Sequence, residues 1–315
     1  MIPFSHEEKK RLFDGRNVSS ELPYDSIEGN LPLIQEGNGR LSISGAQEKY
    51  AMVEDHGKLR FTRENESGTF ILKPVSSDRR FLYRQDMPAN EHLTMFLARH
   101  IYGLSVAAHG LCYFRNGEPA YVTRRFDYRP TGEGKYPMED FASIAGLNKE
   151  KYGEDFKYNV LSYEDCAAII ADHCHAAKTE LLKFFRQVLF NYLFDNADAH
   201  LKNFSLIEYH PGDYRLSPAY DLLNTGLHLP SGIFALEKGL FKEGTPVLDT
   251  TPIGRPMFWE FGKRLGIPEK LLEKELALFA RKDTKVGEFT RQSQLSEEAK
   301  ASYISSFNYR LSTLQ

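Results

Sequence analysis

The feature that most constrains the fold is a change in residue pattern near residues 130–137. Before this point, short strand-like segments dominate, and the first alternates apolar and polar side chains from Leu41 to Val53. One helical segment, Ala89 to Tyr102, lies among them and is followed by Gly103, a residue that commonly ends helices. Beyond the change, apolar side chains recur mostly at helical spacing, as from Lys178 to Phe194.

The separation of strand-like segments from helical segments along the chain predicts an α+β fold with two lobes. We expect a β-rich N-terminal lobe over residues 1–127 and a mainly α-helical C-terminal lobe over residues 128–315. The link between them, residues 128–134, contains the glycines and proline typical of a connecting loop. Because ligands favour the cleft between two lobes, we expect the functional site there.

The composition argues against several classes of protein. The net charge is −3, so no global basic surface indicates direct nucleic-acid binding, although a local patch or a partner's DNA contact stays open. No run of about 18 apolar residues predicts a membrane span, and the N-terminus lacks the apolar region of a signal peptide. Three irregularly spaced cysteines (Cys112, Cys166 and Cys174) are typical of buried thiols, so we expect a cytoplasmic protein.

The strongest candidate for chemistry is the segment that follows the apolar helix. Asp198 and Asn203 have the Asp-x-x-x-x-Asn spacing of protein-kinase catalytic loops. In such loops the aspartate orients the attacking hydroxyl, and the asparagine supplies an oxygen ligand to Mg²⁺. Asp221 follows a strand-like stretch, as the metal-binding aspartate of a kinase does. The alternative is a capping turn, in which asparagine and aspartate are also common.

A second candidate joins a strand to a helix. Lys73 ends an apolar strand, and Glu91 lies in the first turn of the next predicted helix. An ion pair between them would fix the lysine for contact with ATP phosphates. The alternatives are that Lys73 extends to solvent and that Glu91 only complements the helix N-terminus.

The segment from Leu41 to Lys49 is a third candidate. Its small residues would let backbone N–H groups approach phosphates closely. It contains neither a Rossmann fingerprint nor a Walker A sequence, and a serine–glycine pair between strands is also a common turn.

Taken together, these strings resemble the motifs of HipA-like serine/threonine kinases. The resemblance covers residues 40–225, and the matched strings occur in the family's order at similar spacings. The matching strings are Ser42–Lys49, Ile71–Pro74, Asn90–His92, Arg125–Asp127, Asp198–Asn203 and Tyr220–Asp221. The C-terminal ninety residues are consistent with the family's helical lobe but contain no motif that we match.

The resemblance implies a role for each matched residue. Asp198 is the expected catalytic base, Lys73 contacts ATP phosphates, and Asn203 and Asp221 hold Mg²⁺. His200 and Lys202 belong to the catalytic signature, where they shape or charge the loop. The other expected ATP-binding residues are Ser42, Ile43, Ser44, Gly45, Gln47, Lys49, Glu91, and Arg124 and Phe126 at an inter-lobe hinge that binds adenine through its backbone. Ser42 aligns with the serine that such kinases autophosphorylate, and Ser44 is a second candidate.

The resemblance also implies partners. HipA-type proteins have a longer N-terminal subdomain before the phosphate loop than residues 1–40 of this chain, which therefore resembles the shorter HipT type. In that type a separate small protein resembles the missing subdomain and acts as antitoxin. The expected function is the toxin half of a bacterial toxin–antitoxin system with a DNA-binding antitoxin partner. The expected target is an aminoacyl-tRNA synthetase, with growth arrest as the outcome.

Two other functions remain open. One is a non-catalytic nucleotide-binding or partner-binding module with a degenerate kinase fold. The other is a metal-dependent hydrolase that uses Asp195, Asp198 and His200, although this function leaves Lys73 and the serine–glycine loop unexplained.

Overall fold

The computed structural model describes residues 3–27, 40–42, 47–129, 134–230, 232–245 and 252–315. An antiparallel sheet dominates the first part of the chain. Its strands are β1 (Arg40–Ser42), β2 (Lys49–Asp55), β3 (Lys58–Phe61), β4 (Phe70–Pro74), β5 (His109–Tyr113) and β6 (Pro119–Arg124). They lie in the order β1-β2-β4-β6-β5, with β3 paired to β2. The stretch from Leu41 to Val53 thus contains two antiparallel strands rather than one.

Helices cover both faces of this sheet. Helix α1 (His6–Phe13) contributes Leu12 and Phe13 to a small core that includes Leu72 of β4. Helix α2 (Met87–His100) packs against β5 and β6. Because side chains alternate along a strand, Lys73 faces away from the small core. The predicted helix from Ala89 is confirmed and begins two residues earlier, since Pro88 is accommodated in the first turn.

The second part of the chain is mainly helical, as predicted. Its helices include α3 (Phe141–Ile144), α4 (Lys149–Tyr152), α5 (Phe156–Asn159), α6 (Tyr163–His173), α7 (Ala177–Leu193), α8 (Arg255–Arg264), α9 (Glu269–Ala280), α10 (Thr284–Gln292) and α11 (Glu297–Leu314). A small antiparallel sheet contains β7 (Met138–Asp140), β8 (Ser205–His210) and β9 (Asp213–Leu216). The turn at Pro211 and Gly212 joins β8 to β9.

A large hydrophobic core joins the two parts. It includes Leu93 of α2 and Tyr121 of β6 together with Phe190 of α7 and Tyr303 of α11. The α+β arrangement is therefore confirmed, whereas the lobe boundary at residue 127 stays a prediction. The three cysteines are buried and unpaired. None of the helices in the described ranges has the length and apolar composition needed to cross a bilayer.

Candidate active site

Eight of the residues predicted for the site line one cavity of about 510 Å³ between the sheet and the helical part. They are Gln47, Lys49, Lys73, Asp198, His200, Lys202, Asn203 and Asp221. Strands β2 and β4 supply the lysines on one side, and the loops around α7 and β9 supply the acidic and amide groups on the other. The fold therefore brings together groups that are up to 174 positions apart in the chain, from Gln47 to Asp221.

The Asp221 carboxylate lies at the centre of the polar contacts in this cavity. Lys73 Nζ donates to its Oδ1 atom, whereas Lys49 Nζ lies 3.0 Å and Asn203 Nδ2 lies 3.2 Å from its Oδ2 atom. Burial opposes ionisation, but the two ammonium groups outweigh it and hold the pKa of Asp221 well below its usual value. Asp221 also has a positive φ of 55°, a conformation that surrounding contacts must maintain.

Lys73 is held between two carboxylates. Its Nζ atom lies 2.6 Å from Glu91 Oε1, so the predicted ion pair is present, and both side chains are buried. Burial lowers the pKa of Lys73, but Asp221 and Glu91 together raise it above its ordinary value. Burial raises the pKa of Glu91, and the Lys73 ammonium opposes that rise. Glu91 Oε2 has no hydrogen-bond partner within the described ranges.

The loop that presents Asp198 is fixed by contacts distant in sequence. After α7, Asp195 has a φ of 53°, and its carbonyl accepts hydrogen bonds from the backbone N–H and the hydroxyl of Thr225. Thr225 Oγ1 in turn accepts from the N–H of Ala197 at 2.8 Å. Arg310 of α11 lies 2.5 Å from Asp195 Oδ1. The C-terminal helix therefore anchors the loop one turn before Asp198.

Asp198 is exposed, and Tyr158 contacts it. The Tyr158 hydroxyl donates to Asp198 Oδ1 at 2.6 Å. Tyr158 belongs to α5 and lies forty positions before Asp198, so no spacing rule could have indicated it. Sequence reasoning missed this residue, as it missed Arg310.

The other two signature residues have different environments. His200 is buried, and its Nδ1 atom has no partner within the residues described. Burial lowers the pKa of His200 to about 4, so the ring is neutral at neutral pH. Lys202 is exposed, and its ammonium lies 5.5 Å from the centre of the Phe156 ring. Lys202 thus adds positive charge at the rim of the cavity.

Only part of the predicted phosphate loop lies among the described residues. Ile43, Ser44 and Gly45 lie outside the described residues, and Ser42 is described only as the end of β1, where its backbone pairs with Lys49. Gln47 Nε2 donates to the Pro74 carbonyl at 3.0 Å, which ties the end of the loop to β4.

Arg124 and Phe126 do not line the cavity. The Arg124 guanidinium lies 2.7 Å from Asp14, and its backbone N–H donates to the Ala108 carbonyl. Phe126 packs its ring 5.7 Å from that of Tyr220. A role in adenine binding would therefore depend on the remaining backbone groups of this segment, and it stays a prediction.

The donor set fits a Mg²⁺ ion shared with a polyphosphate. Mg²⁺ is usually held by one or two protein oxygens together with phosphates and waters. Asp221 offers its carboxylate, while the Asn203 amide nitrogen points at Asp221 and its oxygen accepts from the N–H of His200. With the amide turned over, Asn203 would present its oxygen beside Asp221 Oδ2. No cluster of three histidine, cysteine or acidic side chains suitable for a metal occurs in the described part of the chain.

The chain is similar to known proteins that are described as kinases. One relative is a Haemophilus influenzae protein that is named as a candidate kinase. It is 29% identical to this chain over 291 residues, which cover 87% of this chain and 81% of that protein. The serine/threonine-protein kinase toxin HipA of Shewanella oneidensis is 27% identical over 295 residues, 88% of this chain and 64% of that protein.

The fold of the chain is also similar to that of a solved structure. A solved structure of the Shewanella oneidensis toxin–antitoxin system, with HipA, HipB and operator DNA, matches with a TM-score of 0.65 and 23% identity over 91% of this chain and 69% of that one. This likeness establishes the two-lobed, protein-kinase-like fold. The sequence profile of the HipA-like C-terminal domain matches residues 41–282, which is more than half of the chain. The chain therefore belongs to the HipA-like C-terminal domain family.

Proposed function

We propose that the chain is a Mg²⁺-dependent protein kinase that transfers the γ-phosphoryl group of ATP to a serine or threonine hydroxyl. The observation on which this proposal depends is the network in which Asp221 contacts Lys49, Lys73 and Asn203 within the cavity that Asp198 also lines. The related proteins described as kinases support the same reaction.

The lysines would bind the phosphates. Phosphoryl transfer depends on positioning and charge neutralisation more than on covalent chemistry. Lys49 and Lys73 both contact Asp221. An entering polyphosphate would compete for these ammonium groups, and Glu91 would keep Lys73 in place on β4. A bound Mg²⁺, held by Asp221 and Asn203, would supply the remaining charge neutralisation.

Asp198 would orient the acceptor. Its carboxylate is exposed and accepts a hydrogen bond from a hydroxyl, as a catalytic aspartate must. An acceptor serine or threonine would donate to the same carboxylate, and its proton would pass to Asp198 as the oxygen–phosphorus bond forms and ADP leaves.

We further propose that the kinase is the toxin of a toxin–antitoxin pair in the cytoplasm. The Shewanella HipA structure contains HipB and operator DNA, which supports a DNA-binding antitoxin partner for this chain. The resemblance to the HipT type supports a second partner, a small antitoxin. The proposed target is an aminoacyl-tRNA synthetase. Expression of the wild type but not of the Asp198→Asn variant should arrest growth, and phosphoproteomics of the arrested cells should identify a modified synthetase.

Autophosphorylation is proposed for Ser42 or Ser44. A phosphate adds about −1.5 to −2 charges, which beside the phosphates of ATP would repel the nucleotide and displace the loop. Incubation of active enzyme with ATP should therefore lower its own activity over time. Double replacement of the two serines by alanine should abolish that decline.

The reaction class can be tested directly. The purified chain is incubated with Mg²⁺ and ATP labelled on either the γ- or the α-phosphate. Protein that acquires only the γ-label supports a kinase, whereas the α-label would indicate nucleotidyl transfer. ATP binding without transfer to the chain or to any protein acceptor would favour a non-catalytic nucleotide-binding module, and release of phosphate from small esters would favour a hydrolase.

A further inference from the structure

The contact between Tyr158 and Asp198 has no role in the proposed reaction. Asp198 is the group that must accept a hydrogen bond from the acceptor hydroxyl, yet the Tyr158 hydroxyl already donates to it at 2.6 Å. Both residues line the same cavity as Lys73 and Asp221. A hydroxyl of the chain itself therefore lies on Oδ1, one of the two carboxylate oxygens to which a substrate hydroxyl could donate.

Several contacts hold Tyr158 in this position. Its backbone carbonyl accepts a hydrogen bond from the N–H of Glu237 at 2.9 Å. The ring meets the His200 ring edge-on with 5.0 Å between centres, and the Lys157 ammonium lies 4.9 Å above it. Burial and the Asp198 charge raise the pKa of Tyr158, so its hydroxyl remains protonated. Tyr158 is consequently a hydrogen-bond donor, as a serine or threonine acceptor would be.

We infer that Tyr158 occupies the acceptor position of Asp198 and must be displaced before a protein substrate can react. Tyr158 is on this account a positioning residue that controls access to the catalytic carboxylate. The inference rests on the proposed kinase function. Two consequences follow from it. The tyrosine raises the KM for the protein acceptor, and when no acceptor is bound it prevents Asp198 from orienting a water molecule for ATP hydrolysis.

The displacement can be measured with a variant that keeps the ring. Tyr158→Phe removes the hydroxyl but retains the packing against His200 and Lys157. Tyr152→Phe is the matched control, since this exposed tyrosine of the neighbouring helix α4 also has a lysine ammonium over its ring, at 5.1 Å. The readouts are ATP hydrolysis without acceptor, KM and kcat for dephosphorylated casein, ATP affinity, and the midpoint of thermal unfolding.

We expect Tyr158→Phe to increase acceptor-free ATP hydrolysis and to lower the KM for casein, each by about threefold to tenfold, the range that one competing hydrogen bond accounts for. ATP affinity should not change, and Tyr152→Phe should behave as the wild type. A merely structural role would instead lower the unfolding midpoint without changing hydrolysis or KM.

The opposite results would overturn the inference. Unchanged or reduced hydrolysis together with an unchanged KM would show that Tyr158 does not compete with the acceptor. Phosphate found on Tyr158 itself by mass spectrometry would show that it is a substrate and not an occupant to be displaced. If the wild type and both variants bind ATP but transfer no phosphate to water, casein or themselves, the proposed kinase function fails and the inference fails with it.

Discussion

The Nζ atom of Lys73 lies 2.6 Å from Oε1 of Glu91, and both side chains are buried. This ion pair joins β4 to α2, and the same ammonium also contacts Asp221 on the opposite side of the cavity. One cation thus connects the sheet, the helix that covers it and the segment after β9. Removing a single member of such a group leaves a buried charge without its partner.

Replacing Lys73 should affect both stability and catalysis. Lys73→Met leaves Glu91 as an unpaired buried carboxylate and removes one of the two ammonium groups that contact Asp221, so we expect a loss of about 3–5 kcal/mol in the free energy of unfolding together with loss of phosphate transfer. Urea unfolding followed by circular dichroism measures the first effect. Glu91→Gln in the Lys73→Met background should restore part of the lost stability, because it removes the uncompensated buried charge.

A control for this series is Lys58→Met, at an exposed position of β3. Its free energy of unfolding should stay within about 0.5 kcal/mol of the wild type. Equal losses for Lys58→Met and Lys73→Met would show that the buried ion pair does not determine the effect.

Arg310 should control the geometry of the catalytic loop. Its guanidinium contacts Asp195 at 2.5 Å and lies 5.1 Å from the centre of the Tyr192 ring. Arg310→Gln should lower kcat by about 10- to 100-fold, because displacement of Asp198 misaligns the acceptor. The KM for ATP should change little, since Lys73 and Asp221 do not contact this arginine.

The matched control lies on the same helix. Lys300 forms an ion pair with the highly exposed Glu297, with 2.8 Å between Lys300 Nζ and Glu297 Oε1. Lys300→Gln should lower the free energy of unfolding by less than about 1 kcal/mol and leave kcat unchanged. A large fall in ATP affinity for Arg310→Gln, with kcat preserved, would contradict a role in placing the catalytic loop.

His200 should make stability depend on pH. Burial lowers its folded-state pKa to about 4 from an unfolded value of about 6.5, so the unfolded chain binds the proton more readily. The contribution of the neutral His200 ring to the free energy of unfolding is therefore complete above the unfolded pKa. As the pH falls from about 6.5 to about 4, the free energy of unfolding decreases by about 3 kcal/mol in total. Urea unfolding across this range should show a flatter dependence for His200→Gln than for the wild type; an identical dependence would contradict the assignment.

Asp221 should couple Mg²⁺ to nucleotide binding. In Asp221→Asn the ammonium groups of Lys49 and Lys73 lose their shared carboxylate, so ATP affinity without Mg²⁺ should stay the same or rise. The increase in affinity that Mg²⁺ gives the wild type should disappear. Calorimetric titration of ATP with and without Mg²⁺ measures both effects, with Asp213→Asn on the exposed β8–β9 hairpin as control. A Mg²⁺ effect that survives in Asp221→Asn would exclude this residue as a ligand.

Short local patterns made much of the site predictable. Lys73 ends an apolar strand, Glu91 begins the next helix, and Asp198 and Asn203 keep a fixed spacing on one loop, so each could be found from its neighbours. Tyr158 and Arg310 could not be found in this way. They reach the catalytic loop from 40 and 115 positions away from their partners, and neither has a local pattern that indicates the contact.

The helical part was predictable in outline but not in function. Apolar spacing indicated α7 because its buried face repeats every three to four residues. Nothing in the composition of α11 indicated that it would contact both Thr94 of α2 and Asp195 of the catalytic loop. Such contacts depend on how the helices pack in three dimensions, which the spacing within one helix does not specify.

Phosphate transfer with Asp198 as the orienting base is tested most directly by Asp198→Asn. This variant keeps the size of the side chain and removes the charge that accepts the acceptor proton. The wild type and the variant are incubated with Mg²⁺ and γ-labelled ATP, ATP affinity is measured in parallel, and mass spectrometry locates the label. We predict label on serine or threonine in the wild type only, with a transfer rate lower by about 10²- to 10⁴-fold in the variant and ATP affinity retained. Equal labelling of a folded Asp198→Asn variant would contradict the account.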